Sequence, residues 1–242
     1  MRVATLYDIH GNLSALEAVL AELADELVDT FVVGGDVAAG PFPEETVARL
    51  HAIDTPVVFI RGNADRELAE GPDKMPEQVR DWLVPRVSEP LRAELGSWPE
   101  QARLEVDGLG SVLFCHATPR DDEEIFTELT PDELVAEMFA SAPPVTVVGH
   151  THMQVDRRLG DRRIVNSGSV GLPYEGRPGA FWTLLGDDVE FRRTEYDVDE
   201  LVRRSTETGV PAEFYRESLI EPESRAAVAE FFEGVAGRSA GR

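Results

Sequence analysis

Five short apolar runs along this chain each end in a side chain able to ligate a metal, and that recurrence constrains the fold more than any other feature. Val145-Thr-Val-Val-Gly-His-Thr-His152 is the sharpest case. Its β-branched run is too brief for a helix, is stopped by Gly149 and reads as a buried strand. On extended backbone past Gly149, His150 and His152 project to one side and put two imidazoles into one small volume. The other runs end in Tyr7-Asp8-Ile9-His10-Gly11-Asn12, in Gly34-Gly35-Asp36, in Arg61-Gly62-Asn63-Ala64-Asp65, and in His116 after Val112-Leu-Phe-Cys115. Asp8 and His10 repeat the two-residue spacing. Taken singly, each is an ordinary cap or turn. Together they gather Asp8, His10, Asp36, Asn63, His116, His150 and His152 at the carboxyl edge of a sheet, where open α/β folds bind ligands.

That set exceeds the needs of one tetrahedral zinc, which takes three or four protein ligands. It suits two metals sharing a bridging carboxylate, ~3.5–4 Å apart. The donors are nitrogen and oxygen with no thiolate, a set that favours Mn or Fe and tolerates Zn or Ni. Cys115, the single cysteine, neighbours His116 on a strand and should point away from the site into core packing. His51 stands apart from this edge and reads as a surface residue.

Composition narrows the function further. At 242 residues, 42% hydrophobic and 29% charged, the chain suits one large α/β domain with a small appendage. No apolar run approaches the ~20 residues of a membrane span. Met1-Arg-Val-Ala-Thr-Leu-Tyr7 enters a strand directly, without a signal-peptide hydrophobic region, and one cysteine allows no internal disulfide. Both fit a cytoplasmic location. The net charge of −23 repels nucleic-acid backbones and anionic lipid, so polymeric nucleic acid and membranes are disfavoured as partners. A small phosphate ester held at a positive site remains compatible with it, as does a homo-oligomer.

Further runs complete the organisation. Strands are expected at Val3–Leu6, Phe31–Val33, Pro56–Ile60, Leu104–Val106, Ser111–Phe114, Val145–Val148, Arg163–Val165, Ala180–Leu185 and Val189–Tyr196. Leu13, Leu16, Leu20, Leu23 and Leu27 form a helical stripe with Asn12 as N-cap. Pro43-Glu-Glu opens a second helix to about Ala52, and Thr130-Pro-Asp-Glu133 a third to about Ser141. Residues 66–101 are charged and Pro-containing, and read as a strandless helical insertion near the site. After 196 a helical extension is expected over Asp197–Glu207, Pro211–Ser218 and Pro222–Val235, with Gly237–Arg242 disordered. The alternation of strands and helices predicts mixed sheets flanked by helices.

Asp8-x-His10, Gly35-Asp36, Gly62-Asn63, His116 and Gly149-His150-x-His152, in that order, resemble the five-block signature of calcineurin-like metallophosphoesterases. Asn166-Ser-Gly-Ser-Val-Gly171 resembles a segment of the small bacterial phosphodiesterase-like branch. The match covers about residues 1–196. The resemblance implies an α/β (α+β) four-layer fold, with two mixed β-sheets packed face to face, flanked by helices, and here a C-terminal helical tail. It implies two divalent or mixed-valence metal ions. Asp8, His10 and His152 would take one, Asn63, His116 and His150 the other, and Asp36 would bridge. Asp36, Asn63 and His116 would act catalytically through those metals and a bridging hydroxide attacking phosphorus in line.

Two departures bear on the substrate. Ala64 stands where the family often has a histidine that protonates the leaving group. Losing a general acid removes ~10²–10⁴-fold in rate, most for poor leaving groups, which favours diesters or activated esters. The block after Asp36 lacks the Asp-Arg typical of protein Ser/Thr phosphatases, which weighs against that reading. Asn12 and Arg120 follow ligand-bearing strand ends and read either as phosphate contacts or as a helix cap and a surface charge; Asn166 lies in a loop that a turn explains equally well. The leading expectation is hydrolysis of small phosphodiesters or nucleotides. Phosphomonoesters or phosphoproteins come second, a non-catalytic scaffold that binds a protein third, and a nuclease fourth.

Overall fold

A computed structural model describes residues 1–211 and 214–238. In chain order its strands are β1 (Val3–Leu6), β2 (Thr30–Val33), β3 (Val57–Phe59), β4 (Gln101–Val106), β5 (Gly110–Cys115), β6 (Val145–Val148), β7 (Gln154–Leu159), β8 (Arg162–Ser167), β9 (Ala180–Leu185) and β10 (Val189–Thr194). The helices are α1 (Leu13–Leu23), α2 (Pro43–His51), α3 (Asn63–Glu70), α4 (Glu77–Leu83), α5 (Glu89–Ser97), α6 (Asp132–Met138), α7 (Val198–Glu207) and α8 (Arg225–Val235). The strands form two five-stranded mixed sheets, ordered β10-β9-β1-β2-β3 and β4-β5-β6-β8-β7. Within them β1, β2 and β3 run parallel, as do β5, β6 and β8.

The period-two alternation of strand side chains builds the layers. Val3 and Tyr7 face inward to meet Val32, Phe114, Val147 and Val165 between the sheets. Ala4 and Leu6, one residue out of phase, face outward against Leu16, Val19 and Leu20 of α1 and Val47 and Leu50 of α2. On the far side Cys115, Val148 and Ile164 pack under Val135 and Met138 of α6. This is the expected four-layer arrangement. Strands buried on both faces explain why β1, β2 and β6 read as near-continuous apolar runs, broken only by a threonine in each. Cys115 turns away from the ligand edge, as its register requires, and burial raises its thiol to about 12.

Several boundaries differ from the sequence reading. Helix α1 stops at Leu23, and Leu27 lies 82% exposed outside the stripe. Strand β7 was not anticipated because Gln-Val-Asp-Arg-Arg-Leu is half-exposed and carries charge on its open face. The first helix of the stretch expected over residues 66–101, α3, starts at Asn63, so its first turn belongs to the candidate ligand edge. In the tail, the stretch expected at Pro211–Ser218, of which residues 212 and 213 lie outside the described residues, overlaps a π-helical turn at Arg216–Ile220. Leu201, Tyr215 and Leu219 of the tail pack on Phe42 and Leu172, so the extension is docked on the domain. Gly237 and Arg238, expected to be disordered, are held; the Arg238 guanidinium donates to Ile125 O at 2.7 Å. Residues 239–242 lie outside the described residues.

Candidate metal centre

The carboxyl ends of β1, β2, β3, β5 and β6 meet at one rim. Backbone hydrogen bonds bind their loops to one another: Asp8 N–H to Gly35 O at 3.1 Å, His10 N–H to Asp36 O at 2.9 Å, Gly11 N–H to Val37 O at 2.8 Å and Gly149 N–H to His116 O at 2.8 Å. Asp8, His10, Asp36, His150 and His152 all adopt positive φ, between 48° and 68°, and they are the only non-glycine residues to do so among those described. Left-handed backbone is rare outside glycine and costs free energy, and it concentrates where function requires it. The two-residue histidine spacing therefore converges by a different route from the one the sequence suggested. The segment is not extended; Thr151 N–H closes back on Gly149 O at 2.8 Å in a turn about His150.

Each imidazole commits one nitrogen to a main-chain carbonyl. His10 Nδ1–H donates to Ala39 O at 3.2 Å, His116 Nδ1–H to Gly34 O at 2.9 Å, His152 Nδ1–H to Leu172 O at 2.6 Å and His150 Nε2–H to Glu123 O at 3.2 Å. These bonds fix the ring orientations and leave the opposite nitrogen of each available to a cation. The carboxylates are divided in the same way. Asp36 Oδ1 accepts from Ala64 N–H at 2.7 Å and Asp8 Oδ2 from His150 N–H at 2.9 Å, freeing the other oxygen of each.

The freed atoms converge. Asp8, His10 and His152 offer ligand atoms within 4.8 Å of one another, and so do Asp8, Asp36 and His116. Asp36 Oδ2 sits 3.8 Å from His10 Nε2 and 3.5 Å from His116 Nε2, between the two groups. Asn63 Oδ1 is 3.0 Å from His116 Nε2, and the His150 ring packs edge-on to His116. The Nε2 atoms of His10 and His152 face each other across 3.2 Å. Asp8 Oδ1 is buried without a well-formed hydrogen bond, with His152 Nε2 at 3.3 Å and His116 Nε2 at 3.8 Å, a placement that suits a cation among the three. The donor set thus fits metal ions.

Electrostatics point the same way. Burial pushes the His116 imidazole down, but Asp36 and then Asp8 outweigh it and raise it to about 10. Burial and then the neighbouring His116 push His150 down to about 4, and burial followed by His152 lowers His10. Burial opposes ionisation of Asp36, yet His116 and His10 hold it well below the usual carboxylate range. The rim is a buried negative pocket that draws in positive charge.

The calcineurin-like phosphoesterase superfamily domain model matches residues 1–187. The chain belongs to that superfamily. It is a metal-dependent phosphoesterase, with buried Asp and His groups that could hold the metals. Phosphodiesterase YfcE of Escherichia coli is 29% identical over 196 residues, spanning 77% of this chain and 89% of that protein. The structure of a metallophosphoesterase from Sphaerobacter thermophilus is 28% identical, with a TM-score of 0.71 over 89% of this chain and 97% of that one. A hypothetical protein from Pyrococcus horikoshii OT3 shares the fold at 20% identity, with a TM-score of 0.79 over 89% and 96% of the two chains.

Around this phosphoesterase rim the two substrate-contact candidates fare differently. Asn12 is fully buried; its Oδ1 caps α1 through Ala15 N–H, and its amide hydrogens go to Gly171 O and the Tyr196 hydroxyl, each at 3.0 Å. Both amide hydrogens are engaged, so Asn12 is corrected from phosphate contact to structural cap. Arg120 shares a cavity of about 390 Å³ with His116, but its guanidinium is held by Glu124 and reaches Glu137 at 3.4 Å.

The sequence reading overlooked the supports. Asn166 Nδ2–H donates to Gly149 O at 2.6 Å and to Thr151 Oγ1 at 3.0 Å, pinning the His150 turn. Ser169 Oγ–H donates to Asp8 O at 2.7 Å. Both lie in the Gly/Ser segment already noted, whose hydroxyls and amide were the available signal. Arg66 grips Asp122 and Glu123, at 2.7 and 2.6 Å, and so steadies the carbonyl to which His150 donates. Its only sequence cue was its place one helical turn after Asn63.

Proposed function

We propose that the chain hydrolyses small phosphodiesters, including nucleotide diesters, with two divalent metals. Asp8, His10 and His152 would hold one, Asn63, His116 and His150 the other, and Asp36 Oδ2 would lie between them. Mn or Fe fits these nitrogen and oxygen donors, with Zn or Ni tolerated. When bound, such a pair supplies an activated water and clamps phosphate oxygens. The chain's own part is to hold seven side chains in one orientation before substrate arrives. The observation that supports this reading is that Asp8, His10, Asp36, His116 and His152 each tie one heteroatom to main chain and bring another within reach of a shared cation.

Diester preference follows from Ala64, whose methyl replaces an acid that would protonate an alkoxide. The named activity of the E. coli relative supports the same choice. A cytoplasmic setting fits the lone buried thiol, and no helix among the described residues is long and apolar enough to cross a membrane. With Mn²⁺ restored after EDTA treatment, bis-p-nitrophenyl phosphate is expected to turn over at least ~10-fold faster than p-nitrophenyl phosphate. A clear monoester preference would overturn the diester assignment. Arg66→Ala, which loosens the loop behind His150, is expected to raise the Mn²⁺ concentration for half-activity by up to ~10-fold while kcat at saturating metal holds. Titration of activity against free Mn²⁺ measures it.

A further inference from the structure

The last helix of the chain reaches one candidate metal ligand through the loop after β8. That loop holds His152 in three ways. Leu172 O accepts from its Nδ1 at 2.6 Å, and Tyr174 N–H donates to its main-chain oxygen at 3.1 Å. The Tyr174 ring stacks on the imidazole, with centroids 5.2 Å apart and planes 12° from parallel. Helix α8 closes on this loop from behind. Phe232 meets the Tyr174 ring edge-on at 5.9 Å. Arg225, the first residue of α8, donates to Glu175 Oε2 at 2.7 Å and to Gln154 O at 2.6 Å. Glu175 Oε1 in turn accepts from Gln154 N–H, two residues past His152.

The other end of α8 is fastened too. The Glu233 carboxylate, 5% exposed, accepts from the Thr127 hydroxyl at 2.8 Å, from the Thr130 hydroxyl, and from Arg238 Nε at 2.8 Å. A buried carboxylate met by three donors keeps its charge and resists displacement. Held at both ends, α8 keeps Phe232 against Tyr174. The torsion that turns an imidazole about its Cβ–Cγ bond is intrinsically broad, and a parallel ring stacked on it obstructs that turn. His152 Nε2 thereby stays 3.3 Å from Asp8 Oδ1. Groups that orient a metal ligand commonly account for ~10–100-fold in metal affinity. Helix α8 lies beyond residue 187, where the family match ends.

We propose that α8 braces His152, through the Tyr174 ring and the Arg225–Glu175 pair, and so sets the metal affinity of the position shared by Asp8, His10 and His152; this rests on the two-metal reading above. Tyr174, Glu175, Arg225 and Phe232 are positioning residues, since none of them belongs to either group of converging ligand atoms. Among the described residues, no hydrogen bond or ring contact joins Tyr174 or Phe232 to Asn63, His116 or His150, so the effect falls on one of the two positions.

Mn²⁺ is titrated calorimetrically into the full chain after EDTA has been used and removed. The native chain is expected to take two ions, one of them lost in His152→Ala. Tyr174→Leu is expected to weaken that same ion at least ~10-fold and the other by less than ~3-fold, while Tyr174→Phe, which keeps the ring, retains native affinity. Phe232→Ala leaves Tyr174 in place and is expected to weaken the same ion ~3–10-fold; it decides the matter if Tyr174→Leu does not fold. Added to His152→Ala, Tyr174→Leu should change the affinity of the remaining ion by less than ~2-fold, because the ring it steadies is already gone. If α8 serves stability alone, Tyr174→Leu and Phe232→Ala lower Tm and leave both affinities native. That result overturns the brace while the two-metal reading stands, and so does equal weakening of both ions. A native chain from which His152→Ala removes no ion overturns the metal reading and the brace with it.

Discussion

His116→Ala is expected to reduce phosphodiester turnover at least ~10³-fold and to leave a folded chain. The ring is 1% exposed, lies 3.5 Å from Asp36 Oδ2 and 3.0 Å from Asn63 Oδ1, and is the group most strongly tied to the negative charge of the rim. Losing one preorganised charge-stabilising group commonly removes ~10²–10³-fold in rate, and losing a support behind a metal ligand ~10–100-fold. Removal of a ligand itself should exceed both. The structural penalty is smaller: Gly34 O loses its donor, worth about 1–3 kcal/mol against a total stability of roughly 5–15. Asp36→Asn should behave alike, because an amide oxygen still accepts from Ala64 N–H but brings no charge. Elemental analysis of the purified variants should show fewer bound metals per chain, with an unchanged far-ultraviolet circular dichroism spectrum. Near-native turnover with full metal content in either variant would refute the ligand assignment.

Gly40→Ala tests the rim from the backbone side. A Cβ there falls well inside contact with the carbonyl carbon and oxygen of His10, and 3.1 Å from Gly11 Cα. Main chain cannot rotate away, and the opposing loop is fixed by His10 N–H to Asp36 O and Gly11 N–H to Val37 O. Overpacking of this kind costs about 1–3 kcal/mol where side chains can yield. Here about 3 kcal/mol is the expected floor, a fall in Tm of roughly 6–12 °C for a chain of this size. The Asp8–His10 loop must shift, and a misplacement of about 1 Å can cost ~100-fold in rate. Calorimetry and ester turnover measure the two effects. Gly234→Ala is the control: nothing lies within 4 Å of its Cβ on α8, so it should gain about 0.5–1 kcal/mol. A Gly40→Ala chain as stable and active as the native one would show that the loops do not approach as closely as described.

Much of this was legible in one dimension because the ligand edge is repetitive. Each of these strands is a short apolar run, and each ends in a polar residue that such a run does not need, so Asp8, Asp36, Asn63, His116 and His150 stand out as candidates by position alone. The layers were legible for the same reason: strand parity and the α1 stripe say which face is buried. Strand β7 escaped because an edge strand with one solvated face carries charge where the pattern expects apolar residues. Asn12 misled because capping and phosphate binding ask for the same side chain, and only its buried partners, Gly171 O and Tyr196, separate the two.

What the order of residues determined by itself was the inventory: which donors exist, which strand delivers each, and that no thiolate or leaving-group imidazole accompanies them. Those follow from local chemistry and a two-residue period. What only the tertiary structure decided was direction. The left-handed turns at Asp8, His10, Asp36, His150 and His152, the carbonyl that takes the spare proton of each ring, and the α8 wall beside Tyr174 all depend on contacts between segments far apart in the chain. Backbone in a costly conformation persists only when its surroundings outweigh that cost, and those surroundings exist only after the sheets have packed.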